Sequence, residues 1–124
     1  MTHMYELLVE KTFDSAHYLE NYNGDCARMH GHTYRVQICV AGETLDQKFG
    51  MLMDFKEMKK ALNQLVSKLD HQVLNEVLDF NTTAELIAKY FYDQLEPHIP
   101  ENVTLKKVTL WENPTNCAIY YPSN

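Results

Sequence analysis

The segment His30-Gly-His-Thr-Tyr-Arg-Val-Gln-Ile-Cys-Val-Ala41 carries the clearest fold signal in the sequence. From Tyr34 onward apolar and polar side chains alternate, which is the pattern of a β-strand with one buried face. Successive side chains of an extended chain point to opposite sides, so His30 and His32 share the face of the apolar side chains. We therefore expect a pair of histidines at one end of the buried face of a sheet.

A third histidine, His17, lies upstream in the segment Phe13-Asp-Ser-Ala-His17. If the strand that carries His17 pairs antiparallel with the strand after His32, its imidazole reaches the same face. Three neutral imidazole nitrogens with an open fourth position are typical of a catalytic zinc site. Histidines also occur as ordinary strand residues, and that interpretation stays open for this pattern. The remaining histidines, His3 and His98, lack such neighbours and are interpreted as structural or exposed.

The composition limits the class of protein. The chain has 124 residues, enough for one domain with a real core, and we expect a single domain over residues 1–124. Eleven basic residues against 17 acidic ones give a formal charge of −6, and the basic residues are scattered, which argues against nucleic acid as a partner. No apolar run approaches the roughly 20 residues that span a bilayer, and the start lacks a signal-peptide pattern, so we expect a cytoplasmic protein with no membrane partner.

Strand and helix patterns follow one another in the order ββααββ. Two residues that can cap a helix, Asp54 and Thr82, each have a glutamate three residues later, which indicates two helix starts. The first helix is expected to end near Asp70-His71 and the second before Pro97. The predicted strands cover residues 5–12, 33–41, 103–112 and 118–121. This order predicts an α+β fold with both helices on one face of an antiparallel sheet.

Three cysteines in a reducing compartment argue against a disulfide framework, and one of them lies near the histidine pair. Cys26 precedes His30 by four residues in a turn-rich segment. A thiol near a divalent cation or a protonated histidine has a lowered pKa and can act as a base or nucleophile. Two other roles stay open for Cys26: a small side chain that fills a loop, and a fourth zinc ligand that would make the site structural. Cys39 and Cys117 carry no comparable signal.

Two acidic positions complete the set of candidate site residues. Asp70 can orient the imidazole of His71 for proton exchange, although a solvated helix end also explains this pair. Glu112 shares a strand face with Val108 and Leu110, where a buried carboxylate needs hydrogen-bond donors. A ligand with two adjacent N–H groups, such as the edge of a pterin or guanine, would supply them. The other interpretation of Glu112 is a strand-end side chain that bends out to water.

Together these segments resemble the 6-carboxy-5,6,7,8-tetrahydropterin synthase family, a sister of the 6-pyruvoyltetrahydropterin synthases, over essentially the whole chain. The matching elements are Phe13–His17, Cys26-x-x-x-His30-Gly-His32, residues 50–55, Leu69-Asp70-His71, Asn81–Glu85 and Glu112. The three residues between Cys26 and His30 resemble the carboxy-forming enzymes, whereas pyruvoyl-forming animal enzymes typically have a longer spacer. Thr82 stands where the family usually has proline, and we expect it to keep the helix cap.

The resemblance implies the tunnelling fold (T-fold), in which ββααββ subunits close into a trimeric barrel and two trimers stack into a homohexamer with active sites between subunits. It implies conversion of 7,8-dihydroneopterin triphosphate and water to 6-carboxy-5,6,7,8-tetrahydropterin, acetaldehyde and triphosphate, a step toward queuosine. Two alternatives remain: the sister 6-pyruvoyltetrahydropterin synthase activity, and a non-catalytic protein that binds a pterin or zinc.

The resemblance also implies a role for each site residue. One Zn²⁺ per subunit would be held by His17, His30 and His32. Cys26 would act as general base, with His71 and Asp70 relaying the proton. Glu112 would bind the pterin ring, and the Thr83 region would contact the ring from the helix start.

Overall fold

The computed structural model describes residues 4–123. Its strands and helices are β1 (Tyr5–His17), β2 (His30–Gly42), α1 (Phe55–Leu69), α2 (Leu74–Val77), α3 (Ala84–Leu95), β3 (Thr104–Asn113) and β4 (Asn116–Tyr120). Short 3-10 turns cover residues 25–27 and 96–98. The predicted order ββααββ is confirmed, with the one-turn helix α2 as an addition between the two long helices.

The four strands form one antiparallel sheet in the order β1-β2-β3-β4. Helix α1 packs against β1, and α3 packs against β3 and β4. The alternation in β2 has the predicted consequence, because Tyr34, Val36, Ile38 and Val40 are all fully buried beneath the helices. The structure is therefore the expected α+β arrangement of helices on one face of a sheet. Within residues 4–123, no helix has both the length and the apolar character that crossing a membrane requires.

The two long helices are held to the sheet by apolar stripes. Helix α1 buries five side chains and α3 buries four, at the three- and four-residue spacing that places them on one helix face. These side chains are Met58, Leu62, Leu65, Val66 and Leu69 in α1, and Ile87, Ala88, Phe91 and Leu95 in α3. Burying a large aliphatic side chain contributes about 1.5–3 kcal/mol. This packing fixes both helix ends that carry candidate site residues.

One predicted helix cap is confirmed and the other is wrong by one residue. Asp54 caps α1, and its carboxylate accepts a hydrogen bond from the Lys56 N–H at 2.8 Å. The cap of α3 is Thr83 rather than Thr82, and its hydroxyl accepts from the Leu86 N–H at 3.2 Å. Thr82 is fully buried and makes hydrogen bonds toward β1 instead, so α3 begins one residue later than the sequence pattern suggested.

The first two strands are longer than predicted, and this places the histidines inside them. β1 continues past residue 12 to His17, and β2 begins at His30 rather than at residue 33. The two strands stay paired over this extension, with His17 opposite His30 and Ser15 opposite His32. Backbone pairing thus extends into segments without apolar alternation. The sequence pattern therefore placed the end of β1 too early and the start of β2 too late.

Candidate active site

His17, His30 and His32 converge at the end of the β1–β2 ladder, as the sequence predicted. The ring centroids of His17 and His30 lie 4.6 Å apart, those of His17 and His32 5.1 Å, and those of His30 and His32 4.8 Å. His17 is 1% exposed, and the other two are partly buried. One nitrogen from each ring lies within 4.8 Å of the others, an arrangement that suits a shared metal ion.

The hydrogen bonds of the rings leave the inner nitrogens free. Nδ1 of His17 lies 2.8 Å from the Thr82 carbonyl oxygen, and Nδ1 of His30 lies 2.7 Å from the Arg28 carbonyl oxygen. A carbonyl only accepts, so both Nδ1 atoms donate and both Nε2 atoms keep a lone pair. Nε2 of His17 and Nε2 of His32 are buried without a hydrogen-bond partner. Buried nitrogens of this kind are rarely left unpaired, and a divalent cation would satisfy them.

The environment keeps the buried imidazoles neutral. Burial lowers the pKa of His17 to about 4, against a smaller opposing effect of its hydrogen bond to Thr82. Burial also lowers the pKa of His32, although the carboxylate of Glu112 acts in the other direction. Metal ions bind the neutral ring, so this cluster is prepared for a cation at neutral pH.

Asp70 and His71 form a close pair immediately after α1. Nδ1 of His71 lies 3.0 Å from Oδ2 of Asp70, and the imidazole is 77% exposed. His71 has a backbone φ of 59°, the left-handed conformation that ends many helices but is uncommon for residues other than glycine. The backbone N–H of Asp14 donates a hydrogen bond to the Asp70 carboxylate, and this bond is the main reason why the pKa of Asp70 is lowered. The neighbouring His71 lowers the pKa of Asp70 further, by a smaller amount. The geometry presents an oriented imidazole to solvent.

Glu112 lies beside the histidine cluster. Its Oε1 is 3.8 Å from Nε2 of His32, and its side chain is 27% exposed, so the carboxylate neither enters the core nor bends fully into water. It lines a cleft of 360 Å³ between the start of α3 and the β3–β4 hairpin. The other residues of this cleft are Ala84, Glu85, Asn116, Cys117, Ala118 and Ile119. Thr83 lies next to the lining residue Ala84 in the sequence, and its hydroxyl already accepts the capping hydrogen bond from the Leu86 N–H.

Cys26 lies in the turn before β2, and its sulfur is not part of the histidine cluster. It is exposed in the 3-10 turn at residues 25–27, and its carbonyl accepts from the Leu19 N–H at 2.8 Å. Among residues 4–123, no cysteine joins the metal-ligating atoms of the histidine cluster. The geometry therefore gives no support to Cys26 as a fourth ligand. His98 is exposed as expected, and His3 lies outside the described residues.

Comparison with known proteins places this site in a family. The sequence profile described as 6-pyruvoyl tetrahydropterin synthase matches residues 6–123. The chain belongs to the 6-pyruvoyl tetrahydropterin synthase family. It is thus an enzyme of a pterin-processing family, and the resemblance stated from its motifs is confirmed.

Relatives within the 6-pyruvoyl tetrahydropterin synthase family carry different names. A protein of Synechocystis named 6-carboxy-5,6,7,8-tetrahydropterin synthase is 36% identical, over 95% of this chain and 94% of its own. A Pyrococcus furiosus protein named dihydroneopterin monophosphate aldolase is 35% identical, over 86% of this chain and 88% of its own. The structure of Caenorhabditis elegans 6-pyruvoyl tetrahydropterin synthase matches with a TM-score of 0.86 and 27% identity, over 98% of both chains. The T-fold is therefore established, whereas the names of these three relatives refer to three different reactions.

Asp14 contacts the Asp70–His71 pair, and this contact was not predicted from the sequence. Its carboxylate oxygen accepts from the Thr33 hydroxyl at 2.5 Å, and its carbonyl accepts from the His71 N–H at 2.6 Å. Asp14, Asp70 and His71 form a second group of metal-ligating atoms, but all three are at least partly exposed. The quoted segment Phe13–His17 contains Asp14, yet only the packing of the α1 end against β1 shows what it contacts.

His32 of the histidine cluster and the pair Asp14 and His71 line the same open cleft. This cleft has a volume of 560 Å³ and is lined by His71 and its neighbour Gln72 on one side and by Gly31 and His32 on the other. The segment after His71 runs along β1, where the Ala16 N–H donates to the Gln72 carbonyl at 3.0 Å. The end of α1 is thereby fixed to the strand that carries His17.

Proposed function

We propose that this protein converts 7,8-dihydroneopterin triphosphate and water to 6-carboxy-5,6,7,8-tetrahydropterin, acetaldehyde and triphosphate, on the route to queuosine. The main support is the cluster of three imidazoles beside Glu112, in which Nε2 of His17 and Nε2 of His32 are buried without a hydrogen-bond partner. Relatives named for this reaction at 29–36% identity support it. So does the three-residue spacing between Cys26 and His30 that resembles the carboxy-forming enzymes.

The donor set fits Zn²⁺, which favours imidazole nitrogen in tetrahedral sites that keep one position open. His17, His30 and His32 would hold it through their inner nitrogens, because two of the outer ones already donate to carbonyls. When bound, the ion would polarise the side-chain oxygens of the substrate and make the adjacent C–H bond more acidic. One site per chain is proposed.

Glu112 binds and orients the pterin ring in this proposal. A carboxylate accepts two parallel N–H bonds from the ring edge, and such charge-assisted pairs fix orientation as well as contribute binding energy. Thr83 holds the start of α3 beside the same cleft, so the ring contacts the helix start as the resemblance implied. Because Glu112 lies next to His32, a ring on Glu112 would extend its side chain over the histidine cluster.

Cys26, His71 and Asp70 handle protons in this proposal. The Cys26 thiolate accepts the proton from the substrate side chain as general base. His71, oriented by Asp70 at 3.0 Å, returns a proton to the product from the 560 Å³ cleft that it lines together with His32. Cys26 is exposed in the single chain, and in the proposed assembly it would face the site of a neighbouring subunit.

We propose a homo-oligomer, either a trimer or a hexamer made of two trimers. Both outer strands, β1 and β4, leave a sheet edge that another subunit can pair with. Large apolar side chains are exposed near these edges and loops, including Met4, Leu8, Met29, Phe49 and Ile119. Light scattering behind a sizing column tests this assembly directly, and a monomer at micromolar concentration would contradict it.

The decisive experiment incubates the zinc-loaded protein with 7,8-dihydroneopterin triphosphate and identifies products by mass spectrometry, with acetaldehyde trapped. Carboxytetrahydropterin with acetaldehyde is the expected result. A pyruvoyl product without acetaldehyde would replace the proposal with the sister activity. A parallel sample with dihydroneopterin monophosphate tests the activity for which the Pyrococcus furiosus relative is named. No product from either substrate would leave a pterin- or zinc-binding protein.

A further inference from the structure

Thr82 contacts the most buried of the three histidines. Both of its oxygen atoms face Nδ1 of His17, the carbonyl oxygen at 2.8 Å and the hydroxyl Oγ1 at 3.1 Å. Thr82 is 0% exposed and His17 is 1% exposed, so this contact lies away from solvent. The outer nitrogen of His17 therefore has one partner residue that supplies two acceptors.

The surrounding hydrogen bonds fix which atom donates. The Thr82 carbonyl only accepts, so Nδ1 of His17 carries the proton. The Thr82 hydroxyl lies 3.3 Å from the Tyr18 carbonyl, to which it donates, and this turns a hydroxyl lone pair toward the imidazole. His17 is thereby held as the Nδ1–H tautomer, and its bare Nε2 is the unpartnered atom inside the cluster.

Asn75 of α2 holds the same end of β1 in place. Its side-chain oxygen accepts from the Tyr18 N–H at 3.0 Å, and its amide nitrogen donates to the Tyr18 carbonyl at 2.9 Å. Oγ1 of Thr82 lies 3.5 Å from the same Asn75 oxygen. Two segments that are distant in sequence thus meet on residues 17–18, and Thr82 is their contact with the imidazole.

We infer that Thr82 is a positioning residue of the metal centre, where its hydroxyl and carbonyl fix the orientation and tautomer of His17. The inference rests on the proposed function only in assuming that the histidine cluster binds zinc. Removal of a residue that hydrogen-bonds to a metal-ligating histidine typically weakens metal binding 10–100-fold. Because a hydroxyl-deleting variant keeps the carbonyl, we expect the lower end of this range, about tenfold.

The test measures zinc affinity by competition with a chromophoric chelator for the full chain and three variants. Thr82→Val removes the hydroxyl at nearly constant shape, and Thr82→Ser retains it. Thr109→Val removes the hydroxyl of another buried threonine, on β3, and serves as the matched control. We expect Thr82→Val to bind zinc about tenfold more weakly, while Thr82→Ser and Thr109→Val stay near the wild type. Equal affinity of Thr82→Val and the wild type, or no recovery in Thr82→Ser, would overturn the inference.

A second measurement needs no metal and also covers the case in which Thr82→Val fails to fold. Long-range ¹H–¹⁵N correlation spectra of the chelator-treated wild type report which ring nitrogen of His17 carries the proton. Protonated Nδ1 and bare Nε2 are expected, and protonated Nε2 would overturn the inference. If Thr82→Val binds zinc more weakly than the wild type but the wild type turns over no pterin, the proposed reaction is refuted and this inference remains intact.

Discussion

Acid should destabilise the metal-free protein through His17. The native state keeps this imidazole neutral down to about pH 4, whereas an unperturbed imidazole in the unfolded chain titrates at 6.5. Between these values the unfolded chain binds more protons, so lowering the pH favours unfolding, and the stability present above pH 6.5 is lost as the pH falls. His32 has a lowered pKa as well and acts in the same direction.

The size of the effect follows from the pKa of His17. A fall from 6.5 to about 4 corresponds to a total of about 3 kcal/mol, because one pKa unit is worth about 1.4 kcal/mol. Of this, about 2 kcal/mol is lost between pH 7 and pH 5, a range in which most carboxyl groups do not yet titrate. That loss is a large fraction of the stability of a small domain.

Urea titrations in the presence of a chelator at pH 7, 6 and 5 measure this loss. The variant His17→Gln has no titrating group at this position and should lose about 2 kcal/mol less than the wild type over the range. His98→Gln is the matched control, since His98 is exposed and its replacement should leave the wild-type pH dependence unchanged. If His17→Gln and the wild type lose the same free energy of unfolding, the neutral buried state assigned to His17 is wrong.

Four further outcomes are expected. Cys26→Ala should retain pterin binding in a fluorescence titration but lose turnover at least 100-fold, whereas Cys39→Ala, whose thiol lies beside Glu6 and lines neither cleft, should keep its turnover. Glu112→Gln should weaken pterin binding at least tenfold in the same titration, because the amide presents a donor where the carboxylate only accepts. Zinc at 100 times its dissociation constant should raise the free energy of unfolding by about 2.7 kcal/mol over the chelated protein, and an unchanged urea midpoint would argue against a metal centre. Leu62→Ala, at a site only 1% exposed, should lower the free energy of unfolding by about 2–5 kcal/mol without changing the zinc stoichiometry.

Much of the fold was predictable because it depends on local periodicity. The alternation from Tyr34 onward placed β2, and antiparallel pairing with the strand of His17 was enough to bring three histidines to one face. The cap at Asp54 was predictable for the same reason, since a carboxylate that accepts from the first helical turn is a local signal.

The error in the second helix cap falls where two adjacent residues have the same local propensity. Thr82 and Thr83 are equally good helix caps by type, and the sequence pattern favoured the one with glutamate three residues later. Packing decided otherwise, because burial of Thr82 against His17 leaves the capping position to Thr83. The strand ends were missed for a different reason. The hydrogen-bonded ladder between β1 and β2 continues through polar residues, where the sequence shows no apolar alternation.

The element order, the buried face of β2 and the residue types capable of metal and proton chemistry could all be predicted from the amino-acid sequence. The contacts between these residues became visible in the folded chain: Asp14 with the Asp70–His71 pair, Glu112 beside His32, and Thr82 at the outer nitrogen of His17. The physical reason is that periodicity specifies which side of an element is buried, whereas contacts between residues more than 50 positions apart depend on how whole elements pack.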